Sequence, residues 1–196
     1  VFLFLGAINF ALYYSVVRSK SLLSYLHDSE FKFYAGLLII IAGLCIYVLY
    51  SQSVYPDFLS AFRAGLFQAV SIATTSGFVT TDYSAWPVFI PVLLLFSSFI
   101  GGCAGSTGGG MKVIRVLLLI KQGQREIMRL IHPNARVTVK VGKQPVENSI
   151  INAVWGFFAA YVALFVLIML VLMFNGLDQV TAFSAVAATI HNLGPG

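Results

Sequence analysis

Thr74-Thr75-Ser76-Gly77 and His191-Asn192-Leu193-Gly194 are two short polar turns, each set after an apolar run and each closing on a glycine. Neither holds a charged side chain, so what they offer a solute is hydroxyl, amide and, above all, peptide oxygen. A narrow passage lined with backbone carbonyls can replace the water around a cation. Successive carbonyls point into such a passage only where some residues adopt unusual φ/ψ, which glycine does at little steric cost. The plainer alternative is an ordinary outer turn. A lone His191 is more often a packed side chain than a ligand, so its ring is expected behind the turn and its carbonyl toward the passage. The two cysteines, Cys45 and Cys103, are too far apart for a disulfide framework or a metal spacing and are expected as small packing residues. No acid–base pair, metal cluster or nucleophile–His arrangement stands out, so neither an enzyme nor a bound cofactor is expected.

A third stretch could also do chemistry. Gly101-Gly102-Cys103-Ala104-Gly105-Ser106-Thr107-Gly108-Gly109-Gly110 has six glycines in ten residues, and glycine loops cradle phosphates. The phosphate-binding pattern, however, ends Gly-Lys-Ser/Thr, whereas here Lys112 follows Met111 and precedes Val113, and the approach from Pro91 to Phe96 is no strand. The sharper reading is a flexible break in a pore-lining helix, positioned below the turns as a gate. A packing kink is the bland one.

The elements that must position these residues follow from composition. The chain is 59% hydrophobic and 10% charged, against roughly 25% charged in a soluble domain, so an all-α integral membrane protein is expected. A bilayer core takes on the order of 20 apolar helical residues to cross. Residues 1–17 read as the end of one span, 33–50 as a second and 150–174 as a third. The run 88–100 is too short alone and resumes, after the glycines, at 111–120. Both ends of the sequence look cut, and a longer parent chain is expected.

Of the twelve Lys and Arg residues, Arg63 alone falls in 51–87 and none follows Phe174; Arg18, Lys20, Lys32 and the cluster from Lys112 to Lys143, including Arg136, share one side. That side should be cytoplasmic. The positive charge is thus topology, and nucleic acid is not an expected partner. Residues 51–87 and 175–196 must then begin outside, yet 58–73 and 177–190 are apolar for only three to four helical turns. They are expected to dip into the membrane and return, which non-helical backbone survives only beside protein or a watery cavity. Phe67-Gln68-Ala69-Val70 recurs as Phe183-Ser184-Ala185-Val186 at an offset of 116, while Gly77 and Gly194 are 117 apart. Self-similarity of this kind points to tandem helix–pore loop–helix repeats around a broken pore-lining helix.

The expected organisation is the end of a transmembrane helix (1–17), a cytoplasmic connection (18–32), a full pore-loop repeat (33–132), a cytoplasmic hairpin turning at Gly142-Lys143 (133–147), and a second repeat through its polar turn (148–196). Lys121, Arg125 and Arg129 form an i, i+4, i+8 basic stripe that suits lipid headgroups or, as a weaker expectation, a cytoplasmic partner. His27, Asp28 and Glu30 are expected to be solvated in the connection.

Ala73 to Phe78, Gly101 to Lys112 and Thr189 to Gly196 together resemble the Trk/Ktr/HKT potassium-transport superfamily, in particular the bacterial TrkH-type membrane subunit. The resemblance runs over essentially the whole chain. It implies four helix–pore loop–helix repeats in one parent chain, here the tail of the second, the third, and the fourth up to its filter. It also implies Gly77 and Gly194 as filter glycines, a filter formed by Thr74, Thr75, Ser76, Gly77, His191, Asn192, Leu193 and Gly194, and residues 101–110 as an intramembrane gating loop. K+ would be the transported ion and the only metal, held at the filter. Implied partners are membrane lipid, a second membrane subunit in a homodimer, and a cytoplasmic ring of nucleotide-binding regulatory subunits, at a bacterial inner membrane. The competing class is a secondary active symporter, which also uses broken helices. It would favour inverted repeats and an intramembrane carboxylate, whereas these repeats run in one direction and Asp57, Asp82 and Asp178 lie in outer segments.

Overall fold

A computed structural model describes residues 1–133, 137–142 and 144–194. Arg136, Lys143, Pro195 and Gly196, which figured in the sidedness, hairpin and resemblance readings, lie outside the described residues.

The chain is an all-α membrane protein with one small hairpin. Its helices run in order α1 (Phe2–Gly6), α2 (Phe10–Ser19), α3 (Leu23–His27), α4 (Ser29–Ser51), α5 (Phe58–Ala73), a 3-10 turn (Tyr83–Ala85), α6 (Phe89–Ile100) and α7 (Val113–Ile131), then β1 (Lys140–Val141), β2 (Gln144–Pro145), α8 (Asn148–Phe174) and α9 (Gln179–Ile190). Among the described residues, two helices, α4 at 23 residues and α8 at 27, have the length and apolar composition to cross a bilayer. At 12 residues, α6 spans only about 18 Å, and α7 resumes after the glycine run.

Aspartates set where several elements begin. Asp28 accepts from the Phe31 amide at 2.7 Å, Asp57 from Ser60 at 2.8 Å, and Asp178 from Val180 and Thr181 at 3.1 Å each. Each satisfies amides that the first helical turn leaves without a partner. The Asp28 cap starts α4 four residues before the expected apolar boundary at 33, which draws Glu30 into the helix. The expected single helix over 1–17 is instead two, because the chain breaks at residues 7–9 and Asn9 caps α2 through the Ala11 amide at 2.8 Å.

Packing follows small residues, as it must where lipid removes the hydrophobic drive between helices. Ala61, Ala64 and Gly65 are buried on α5, and a Cβ at Gly65 would sit 3.1–3.2 Å from Ile46 of α4. The main cluster joins α1, α4, α5 and α6 around Tyr34, Leu49, Ile72 and Ile90. A second joins α6, α8 and α9 through Phe165 and Val186, with Phe99 wedged between. The hairpin pairs Val141 with Gln144 and packs Val139 against Leu118 and Ile151.

Candidate functional site

The two polar turns share one backbone design. In the first, the amides of Thr74, Thr75 and Ser76 donate to the carbonyls of Val70, Ile72 and Ser71 at 3.0, 3.0 and 2.9 Å. In the second, His191, Asn192 and Leu193 donate to Ala187, Thr189 and Ala188 at 3.2, 3.2 and 2.8 Å. Every donor and acceptor is offset by 117 residues. Thr75 and Asn192 both lie in the left-handed region, at φ 57 and 54, as do Gly77 and Gly194 at 72 and 92. The Phe67–Val70 and Phe183–Val186 match, at 116, is therefore out of register by one residue with the turns it helped to locate.

Each turn is braced from behind, by different means. Ser71 Oγ donates to the Phe78 carbonyl at 2.7 Å and Gln68 Nε2 to Thr81 at 2.8 Å, which folds the segment after Gly77 back along α5. In the second turn the imidazole of His191 does this work. It is fully buried, with Nδ1 3.1 Å from Ser98 Oγ of α6, Nε2 hydrogen-bonded to the Tyr161 hydroxyl of α8, and Phe99 edge-on at 4.3 Å. The ring holds the turn to two helices. Thr74, Thr75 and Leu193 are buried as well, while Ser76, Asn192 and Gly194 are exposed.

The two turns meet the glycine run at adjacent residues. A Cβ on Gly108 would lie 3.0 Å from the Thr74 carbonyl, and one on Gly109 would collide with the His191 carbonyl. Thr74 and His191 are the equivalent cap residues of α5 and α9. Two short helices thus direct their C-terminal ends, each carrying partial negative charge, at the same pair of glycines. The Gly109 amide also donates to Thr75 Oγ1 at 2.5 Å.

The rest of the run is tied elsewhere. The Cys103 amide donates to the Ala7 carbonyl at 2.8 Å, and Thr107 donates to Gly6 through its amide at 3.2 Å and its hydroxyl at 3.0 Å. The Phe10 amide donates to Gly105 at 3.2 Å. The break between α1 and α2 is therefore the dock for residues 103–107. Lys112, at φ 76, turns its ammonium back onto the carbonyls of Ser106 and Gly108.

Glu30 corrects the sequence reading most sharply. It was expected to be solvated; it is 7% exposed, and its Oε1 accepts from the Ala104 amide at 2.7 Å. Asn9 and the Ile114 amide lie beside its carboxyl group. The available signal was the Asp28 cap, which puts Glu30 in the first turn of α4, and the polar Asn9 in an otherwise apolar run.

The basic stripe is engaged within the chain. Lys121 Nζ donates to the Lys140 carbonyl at 2.5 Å, buried Arg125 donates to Asn148 Oδ1 at 2.9 Å, and Arg129 pairs with Glu126 at 3.2 Å. Among the described residues, no group of three or more His, Cys, Asp or Glu could hold a metal.

The model of a family described as TrkH, cation transport protein, matches residues 1–196. The chain is 47% identical over its whole length to the Trk system potassium uptake protein TrkH of Escherichia coli K12 and 51% identical to that of Vibrio parahaemolyticus, and it spans 41% of each. It is 38% identical to the TrkG protein of E. coli K12, of which it spans 40%. The crystal structure of the potassium transporter TrkH from V. parahaemolyticus aligns over all of this chain and 42% of its own, at 51% identity and a TM-score of 0.95. With a helix break, two turns and a glycine run in that fold, the chain belongs to the TrkH family of cation transport proteins.

Proposed function

We propose that the chain is part of a potassium uptake subunit that conducts K+ across a bacterial inner membrane. The carbonyls of residues 74–77 and 191–194 would replace the ion's water, and residues 101–110 would close or free the path beside them. One observation carries this reading: the carbonyls of Thr74 and His191, equivalent residues of two repeats, abut neighbouring glycines of one run, Gly108 and Gly109 respectively. An approach that close is available only to residues without a side chain, and it sets the run where it would block a shared passage. Two helix C-termini facing the passage favour a cation, and the absence of charged side chains from both turns leaves selectivity to dipoles.

The relatives supply the ion, since they are named potassium uptake proteins and this chain spans about two fifths of their length. On this reading 33–132 and 148–196 are two of the repeats lining the passage, 1–17 ends the preceding one, and 18–32 and 133–147 face the cytoplasm. A homodimer, and a nucleotide-binding regulatory ring reached through the cytoplasmic face, complete the proposed assembly.

The test is a rubidium-for-potassium anomalous difference map of the full-length protein, joined to flux in proteoliposomes. Rubidium peaks within coordination distance of the main-chain oxygens near Gly77 and Gly194, with potassium passing in preference to sodium, are expected. No peak there, or transport obligatorily coupled to a second solute by a carrier without such a site, would overturn the reading.

A further inference from the structure

One side chain joins the proposed filter to the proposed gate. The hydroxyl of Thr75 accepts from the Gly109 amide at 2.5 Å and donates to the Thr74 carbonyl at 2.7 Å. The relay runs from the glycine run, through one oxygen, to a carbonyl of the first turn. Thr75 is 8% exposed and held at φ 57, so its oxygen is fixed between its two partners. The equivalent residue of the second turn, Asn192, keeps the backbone conformation at φ 54 but carries an exposed side chain.

We propose that Thr75 couples cation occupancy of the filter to the position of the glycine run. The inference rests on the filter-and-gate reading above and adds the route between the two. A threonine hydroxyl donates one hydrogen bond while accepting others, and consecutive hydrogen bonds polarise one another. A cation at the Thr74 carbonyl draws on the same oxygen to which Thr75 donates, and it repels the hydroxyl proton. The relay loses its terminal acceptor, the Gly109–Thr75 bond weakens, and release of residues 108–111 becomes easier. By linkage, a released run must in turn strengthen cation binding by the same factor. Residues 108–111 are also held by Lys112 Nζ on the Gly108 carbonyl and by the Met111 amide on the Phe99 carbonyl, but the bond the cation weakens is a single neutral one, so the coupling should be about three- to tenfold.

The experiment uses the full-length protein in proteoliposomes, cleared of other reactive thiols (Cys45→Ala and Cys103→Ala within this chain), with Met111→Cys as reporter. The labelling rate by a water-soluble thiol reagent is compared in potassium chloride and choline chloride. Potassium is expected to speed labelling about three- to tenfold, an effect that Thr75→Ser retains. Thr75→Val, which keeps the shape and both backbone groups but not the hydroxyl, should abolish the difference. If Thr75→Val does not fold, Thr75→Ala reads the same dependence. A potassium effect that survives loss of the hydroxyl, or equal labelling in potassium and choline in the unsubstituted protein, overturns the coupling. Potassium-selective flux measured alongside would then leave the filter-and-gate reading standing, whereas absence of that flux would remove the reading on separate grounds.

Discussion

Thr74 and His191, 117 residues apart, occupy one structural position twice: each caps a short helix and each turns its carbonyl onto the glycine run, at Gly108 and Gly109 respectively. The C-terminal ends of α5 and α9 therefore meet one glycine run at adjacent residues. The site's behaviour should be governed by how tightly those glycines fit and by what braces the two turns.

Gly109→Ala tests the fit. A methyl group there meets the backbone carbonyl of His191, which cannot swing aside as a side-chain tip would. Forcing atoms into a packed site costs about 1–3 kcal/mol, and displacing the run relieves it. Resting rubidium efflux from proteoliposomes should rise about 5- to 150-fold. Gly43→Ala, at a helical position where the added carbon meets nothing within 4 Å, should leave efflux unchanged.

Glu30→Ala tests the anchor on the far side of the run. It leaves the Ala104 amide without its acceptor in a buried site, a loss of about 1–3 kcal/mol. Thermal unfolding in detergent should shift to lower temperature, and Cys103, now 1% exposed, should react faster with thiol reagents. Glu30→Gln keeps an acceptor oxygen and should recover most of both. Equal Cys103 reactivity in the three proteins would mean that Glu30 does not hold the run.

Tyr161→Phe separates the imidazole of His191 from its carbonyl. The hydroxyl that braces the ring is lost at about 0.5–1.5 kcal/mol, while the Ser98 contact and the turn's backbone bonds remain. Stability should fall slightly and the preference for potassium over sodium should not change. A collapse of selectivity without unfolding would make the ring itself part of the ion's surroundings.

The caps of α5 and α9 predict a pH dependence. Hydrogen bonds from Ser60 hold the Asp57 carboxyl below its ordinary range, and bonds from Thr181 do the same for Asp178. A carboxyl depressed on folding stabilises the protein fully above its unfolded value of about 3.9, and that contribution is lost as pH falls through the lower folded value. Melting temperature should therefore drop below about pH 4, and less steeply in Asp57→Asn/Asp178→Asn protein, which keeps a capping oxygen that does not titrate. Identical acid profiles would show that the caps do not contribute.

How much of this was written in the sequence differs element by element. Apolar length identified the spans at α4 and α8 and the short run 58–73, and the structure adds the Asp57 cap that opens that run. These are local properties, set by burial and by capping within a few residues. The helix break at residues 7–9 was not legible, because the carbonyls of Gly6 and Ala7 are freed from α1 only where Thr107 and Cys103 arrive to take them. Glu30 was misread for the same reason: a carboxylate near a helix start is solvated by default, and its partner Ala104 is 74 residues away. The internal repeat showed two offsets in the sequence, 116 for the Phe67–Val70 match and 117 for Gly77 and Gly194, and the backbone hydrogen bonds of the turns follow the second. The sequence by itself determined which segments leave water and where the short helices before the two polar turns stop. Only the tertiary structure decided that two stopped helices face the same glycines, because that depends on packing between residues far apart in the chain, where no local propensity acts.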